Sequence, residues 1–177
     1  MTSKNDEENK IYYFAYGSNM SSKRLLDRIK SAIVISKGKL PKHQLKFHKI
    51  SKDGSSKCDI VETHNSEDIV WGVVYEIYTK NLGKLDSVER KGYGYERKEV
   101  DVILDDGNIV SAKTYYVEDY VRYTKESLKP NDWYMRHVIY GAIEHGLKSD
   151  YIKSLNYVSF TVDVDNERRK KELKIYE

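Results

Sequence analysis

Residues 11–30, IYYFAYGSNMSSKRLLDRIK, change their period partway along. Ile11 to Tyr16 is β-branched and aromatic and reads as a buried strand. Gly17-Ser18-Asn19 breaks it. From Met20 to Lys30 the apolar Leu25, Leu26 and Ile29 fall at helical spacing, with Asn19 as the N-cap. A strand that turns on glycine into a helix leaves several backbone N–H groups around one spot, and with the helix dipole they attract an anion such as a carboxylate. Gly, Ser and Asn also suit any strand-to-helix junction, so the local sequence leaves both readings open.

Outward from this opening the chain is strand-rich. Ala32 to Ile35, Gln44 to Ile50, Cys58 to Glu62 and Ile69 to Tyr78 read as strands, separated by turns at Lys52–Ser56 and Asn65–Asp68. Thr79 to Glu89 reads as a short helix capped by Thr79. Arg97 to Leu104 and Ile109 to Val117 are two strands around the hairpin turn Asp105-Asp106-Gly107-Asn108. Trp133 to Gly146, capped by Asp132, places Met135, Val138, Ile139, Ala142, Ile143 and Gly146 on one apolar face. Ser149 to Tyr157 is a second short helix. The first ten residues read as a flexible arm, 11–160 as one α+β domain, and 161–177 as a charged tail, either solvated helix or frayed. Seven or eight short strands are enough to curl into a small barrel.

The 177 residues suit one domain, and 31 basic against 28 acidic residues leave a net charge of +3. So small a surplus argues against a nucleic-acid partner, which calls for a clustered basic face. The basic run Arg168 to Lys171 is flanked by Glu167 and Glu172 and reads as a solvated helix end. No apolar run approaches the roughly 20 residues that cross a bilayer, and Met1 to Lys10 has no apolar stretch of the secretory kind. A cytoplasmic protein without a membrane partner is expected. One cysteine, Cys58, excludes an internal disulfide framework. The 16 tyrosines against 3 phenylalanines suit a cavity with polar walls, and equally a wet surface.

Glu89 is the first candidate for chemistry. Leu82, Leu85 and Glu89 share a helix face at i, i+3, i+7, so the acid lies on the stripe expected to meet the core. It also lies in the last turn, where the dipole disfavours negative charge. Burial and dipole together would raise its pKa, which suits an acid–base group. Alternatively the helix end frays and Glu89 pairs in water with Arg90, Lys91 or Arg97. Tyr134, in the first turn of the late helix, can aim its hydroxyl into a cleft, although packing behind Trp133 accounts for it as simply. Cys58 alternates with Ile60 on a strand and reads as a buried, inert thiol. The five histidines lack a metal-binding spacing and no calcium loop is present, so no metal is expected.

Taken together, the segments resemble a known family. Tyr13-Phe14-Ala15-Tyr16-Gly17-Ser18-Asn19-Met20 is similar to the signature that opens the γ-glutamylcyclotransferases. Val70 to Tyr75, Leu85-Asp86-Ser87-Val88-Glu89, Gly94-Tyr95-Glu96-Arg97, Trp133-Tyr134 and Gly141-Ala142 follow in family order, covering roughly residues 12 to 157. The resemblance implies a small mixed β-barrel flanked by helices, with the site at its mouth. It implies Glu89 as the catalytic acid–base residue and substrate contacts from Tyr13, Phe14, Ala15, Tyr16, Gly17, Ser18 and Tyr134, with Asn19 shaping the turn. Leu147-Lys148 stands where many relatives have Leu-Pro, past the site.

The implied reaction is the cyclisation of a small γ-glutamyl amide or dipeptide to 5-oxoproline, expelling a free amine or amino acid. The substrate's own α-amine is the nucleophile, so no cofactor or metal is required. A cyclotransferase removing the γ-glutamyl cap from another amine or a biosynthetic intermediate is a second reading. A non-catalytic small-anion binder of the same fold is a third, and the presence of Glu89 weighs against it. Specificity is expected in Glu118 to Asn131 and Gly92 to Tyr95. A homodimer is suggested only by analogy to relatives.

Overall fold

The computed structural model of the protein describes residues 9–177. The expected arm therefore lies outside the described residues up to residue 8, and Lys10 already belongs to the first strand. Among the described residues there are seven strands: β1 (Lys10–Ala15), β2 (Ile33–Pro41), β3 (His43–Ile50), β4 (Ser56–Glu62), β5 (Ile69–Tyr78), β6 (Tyr95–Leu104) and β7 (Ile109–Val117). The α-helices are α1 (Ser22–Arg28), α2 (Leu82–Glu89), α3 (Tyr120–Tyr123), α4 (Asp132–Glu144), α5 (Ser149–Asn156) and α6 (Asn166–Leu173). None is long and apolar enough to cross a membrane.

Five strands close a barrel in the order β1-β5-β2-β6-β7, with β1 and β7 parallel and the other pairs antiparallel. Closure leaves the sheet no free edge. The fold is thus the mixed barrel with flanking helices that the resemblance implied. Phe14, Val74 and Val102 are inaccessible to solvent and fill its interior, while Val73, Tyr75 and Ile77, on the other face of β5, are buried outside it, with the Tyr75 hydroxyl on the Met20 carbonyl. β3 and β4 stand apart as a two-stranded ribbon across the barrel mouth.

Several local expectations are corrected. β2 runs on through Lys37-Gly38-Lys39-Leu40 to Pro41, where the sequence suggested a break after Ile35. Gly38 pairs with both Gly72 and Leu104, so it is a position where the barrel turns tightly, not a loop. The helix after β1 is capped by Ser21, whose side chain accepts from the Arg24 N–H, and Ser18–Met20 forms a separate 3₁₀ turn. Asn19 is therefore not a cap. Thr79–Asn81 is likewise a 3₁₀ turn leading into α2. α4 begins at Asp132, behind Asn131. Its buried face runs through Tyr134, His137, Val138 and Gly141, and Ile143 is exposed.

The charged C-terminal segment is docked helix. Arg169 meets Asp132, Arg168 binds Asp163 through two nitrogens, and Asp163 also accepts from the Trp133 indole at 2.7 Å. Glu172 reaches Arg24 of α1, and Leu173 packs against the core. At this junction His137 of α4 is fully buried, with the Tyr176 hydroxyl 2.6 Å from Nδ1.

Burial lowers the His137 pKa to about 4. Burial alone would raise the Glu172 carboxyl, but His137 and Arg24 outweigh it and bring it down to about 2. Both groups bind protons less readily folded than unfolded, so stability is lost as pH falls, through His137 from 6.5 towards 4 and through Glu172 below 4.5. The melting temperature is expected to drop between pH 6.5 and 5, before most carboxylates titrate, and His137→Gln should flatten that drop. A wild-type melting curve unchanged over that interval would refute the assignment.

Candidate active site

At the barrel mouth lies a cleft lined by five tyrosines and Ser18, with Glu89 on its wall. Each element brings something to it. β1 delivers Tyr13, and the turn after it presents Tyr16, Gly17, Ser18 and Asn19. α2 ends at Glu89, and Arg90 then adopts the left-handed conformation (φ 56°) that stops the helix there. β6 opens with Tyr95, β7 carries Tyr115, α4 brings Tyr134 in its first turn, and the ribbon strand β4 contributes Cys58.

Glu89 is held by the residue freed from capping. Asn19 Nδ2 donates to Glu89 Oε1 at 2.7 Å and to the Tyr13 hydroxyl at 3.1 Å. Its Oδ1 accepts from Arg28 at 2.9 Å, so both ends of the amide are fixed. Arg28 in turn lies 3.7 Å from Glu89 Oε1. The carboxylate keeps only 18% of its side-chain surface exposed, and Oε2 has no hydrogen-bond partner among the described residues. The fraying helix end, with Glu89 in water, is not what the fold produces.

The opposite wall is a set of tethered phenols. Tyr16 donates to the Tyr115 carbonyl at 2.5 Å, Tyr115 to Asp86 at 2.6 Å, and Tyr95 to the Cys58 carbonyl. Tyr134 accepts the Cys58 N–H at 3.0 Å, which ties α4 to the ribbon. Burial, with nearby Glu89 and Asp59 among the secondary causes, pushes the phenols of Tyr13, Tyr16, Tyr95 and Tyr134 well above their ordinary range. They stay protonated: Tyr16 and Tyr95 spend their O–H on backbone carbonyls, while Tyr13 and Tyr134 accept from Asn19 and Cys58 and find no acceptor for their own among the described residues. Burial also pushes the Cys58 thiol up to about 12, which makes it a poor nucleophile. The backbone N–H groups of Gly17 and Ser18 find no protein acceptor among the described residues, whereas the Gly17 and Ser18 carbonyls accept from Met20 and Ser21. Ser18 Oγ is occupied by Arg24 Nε at 3.2 Å.

Of the residues singled out in the sequence, the fold gathers Tyr13, Tyr16, Gly17, Ser18, Tyr134 and Glu89 around this one cleft. Phe14 and Ala15 are not among its lining. Phe14 is wholly buried in the barrel, and the carbonyl of each faces another strand. Asn19, Tyr95, Tyr115 and Cys58 complete the wall. The local sequence marks Asn19 as a cap and Cys58 as an inert strand residue, and nothing local marks Tyr115 apart from the other tyrosines. Among the described residues no group of three or more His, Cys, Asp or Glu is placed to hold a metal ion.

Comparison with known proteins bears on the family. A sequence model of the AIG2-like family matches residues 69–155, which include Glu89 and Tyr134. The chain is 33% identical over 152 residues to the γ-glutamylcyclotransferase of Bos taurus, covering 82% of this chain and 77% of that protein. To the γ-glutamylcyclotransferase of Homo sapiens it is 30% identical over 162 residues, covering 86% and 80%. A solved structure described as a γ-glutamyl cyclotransferase superposes with a TM-score of 0.81 at 26% identity, covering 94% of this chain and 99% of the other. Likeness over nearly the whole chain, in sequence and in barrel, leaves one conclusion: the chain belongs to the γ-glutamylcyclotransferase family.

Proposed function

We infer that the protein cyclises a small γ-glutamyl amide to 5-oxoproline and releases the attached amine, with Glu89 carrying the proton. The observation that supports this reading is a carboxylate fixed by Asn19 at the edge of a cleft of protonated phenols and free backbone N–H groups. The substrate's α-amine forms the new C–N bond to the γ-carbonyl carbon, and the original amide C–N bond breaks. Glu89 takes a proton from the α-ammonium and returns it to the leaving nitrogen, so one group serves both steps. The N–H groups of Gly17 and Ser18 and the hydroxyls of Tyr13 and Tyr134, whose protons have no protein acceptor among the described residues, supply donors for the substrate's anionic oxygens, including the one that develops in the tetrahedral intermediate. Holding the γ-glutamyl chain folded is itself worth roughly 7–11 kcal/mol of barrier for a well-oriented intramolecular attack.

The site residues in this reading are Glu89 as catalytic residue and Tyr13, Tyr16, Gly17, Ser18, Asn19 and Tyr134 as substrate contacts or supports. One chain supplies all of them. The catalytic unit is 11–160, with 161–177 packed on it, and its place is the cytoplasm. The expected result is release of 5-oxoproline, detected by mass spectrometry, from members of a panel of γ-glutamyl amines, γ-glutamyl dipeptides and glutathione. Failure with every member, together with no rise in melting temperature on adding them, would overturn the reading.

A further inference from the structure

Glu89, Ser18, Tyr95 and Tyr134 also border a second cavity, next to the first, whose wall includes Lys49 and Lys57 of the ribbon. Its wall carries Arg24, Arg28, Lys49, Lys57 and Arg90, and Glu89 is the only acid among its lining residues. Three of the cations have acidic partners: Arg24 with Glu172, Arg28 with Glu89, and Lys57 with Asp53 at 3.1 Å. Lys49 and Arg90 have none among the described residues.

Lys49 is 7% exposed. A buried ammonium without a counter-ion is costly, and burial with Arg90 nearby pulls its pKa down. The chain nonetheless makes room for it. A β-bulge at His48 interrupts the pairing of β3 with β4, so that His48 and Lys49 both turn inward where strict alternation would bury only one of them. The Lys49 ammonium lies over the Tyr95 ring, 4.7 Å from its centre. A side chain at Gly94 would put Cβ 2.9 Å from Lys49 Cε. Arg90 stands at the outer rim, its guanidinium 5.4 Å from the Tyr93 ring centre.

A γ-glutamyl unit seated against Glu89 directs its leaving group into this second cavity, because Glu89, which protonates the departing nitrogen, lies on the wall shared by both. We propose that Lys49 and Arg90 form a two-point anion subsite for the leaving group, Lys49 for its α-carboxylate and Arg90 for a second acid, so that the preferred leaving amine is an acidic amino acid. This rests on the cyclotransferase reading above. A single carboxylate would answer one of the two unpaired cations and leave the other.

The test compares kcat/KM for 5-oxoproline release from γ-glutamylglutamate and from its neutral isostere γ-glutamylglutamine, in wild type, Lys49→Met and Arg90→Met. Wild type is expected to favour the glutamate by tenfold or more. Arg90→Met should bring the ratio towards one. Lys49→Met should raise KM for both substrates by tenfold or more. A purely structural role for Lys49 would instead lower kcat and leave KM within twofold of wild type, and a purely structural role for Arg90 would lower kcat/KM for both substrates alike and leave the wild-type ratio. Equal kcat/KM for the two substrates in wild type would overturn the subsite while leaving the cyclotransferase reading intact. Release from neither substrate, nor from the wider panel, would remove that reading and the subsite with it.

Discussion

Replacing Glu89 by Gln is expected to reduce kcat for 5-oxoproline release by about 10²–10⁴, the usual contribution of a positioned acid–base group. Gln has almost the same shape and keeps an oxygen that can accept from Asn19 Nδ2, now 2.7 Å from the carboxylate. The tether among Tyr13, Asn19 and Arg28 can therefore persist, and the variant should remain folded. What it loses is the ability to take a proton from an α-ammonium and hand it to a leaving nitrogen. Glu89→Asp makes the complementary case. The acid survives but is withdrawn by one methylene from Asn19, and a misplacement of about 1 Å can cost around 10²-fold. Both variants should bind substrate with KM changed far less than kcat. If folded Glu89→Gln retained turnover within tenfold of wild type, another group would have to carry the proton.

The second large effect is expected at Gly141, far from any reacting atom. The α4 helix crosses the turn after β1 so closely that a Cβ at position 141 would lie 2.4 Å from the Met20 carbonyl carbon and 2.4 Å from the Ser21 nitrogen. These are backbone atoms of the segment that also carries Ser18 and Asn19, so no side chain can swing aside to relieve the clash. Gly141→Ala should destabilise the protein by about 3 kcal/mol or more. At about 2–4 °C per kcal/mol for a chain of this size, the melting temperature should fall by roughly 6–12 °C. Displacement of the turn should lower kcat/KM as well. Gly83 provides the contrast, since it sits inside α2 with nothing within 4 Å of its Cβ position. Gly83→Ala should raise stability by about 0.5–1 kcal/mol through the unfolded chain and helix propensity. Similar melting temperatures for the two variants would show that the α4 contact does not constrain the turn.

These two positions mark how differently the sequence speaks of different parts of the site. Glu89 could be picked out as an acid on an apolar helix stripe, because i, i+3, i+7 spacing is a property of one helix. Its partner could not. Asn19 follows a strand and precedes a helix, the usual place for a cap, and its local surroundings do not distinguish that role from the one it has. The cap position is taken two residues later by Ser21, which leaves the Asn19 amide to reach Glu89 across 70 positions of chain. The contiguous motif places Phe14 and Ala15 with the site. In the barrel, the pleat turns Phe14 into the packed centre, and motif membership does not follow the pleat.

Periodicity and turn chemistry within about a dozen residues are enough for the strand–turn–helix opening, the Asp105–Asn108 hairpin, the helical stretch of α4 and the α+β class. The family resemblance supplied the barrel. Tertiary structure decided that β2 continues through Gly38 to Pro41, that the charged C-terminal segment docks through Glu172 and Arg168, and that a bulge at His48 turns Lys49 into a cavity beside Glu89. It also decided which tyrosines line the cleft, since Tyr134 reaches Cys58 across 76 positions and Tyr16 reaches Tyr115 across 99. The physical reason is the same in each case. A residue's local pattern fixes its backbone, but what its side chain meets depends on barrel closure, which brings distant segments together.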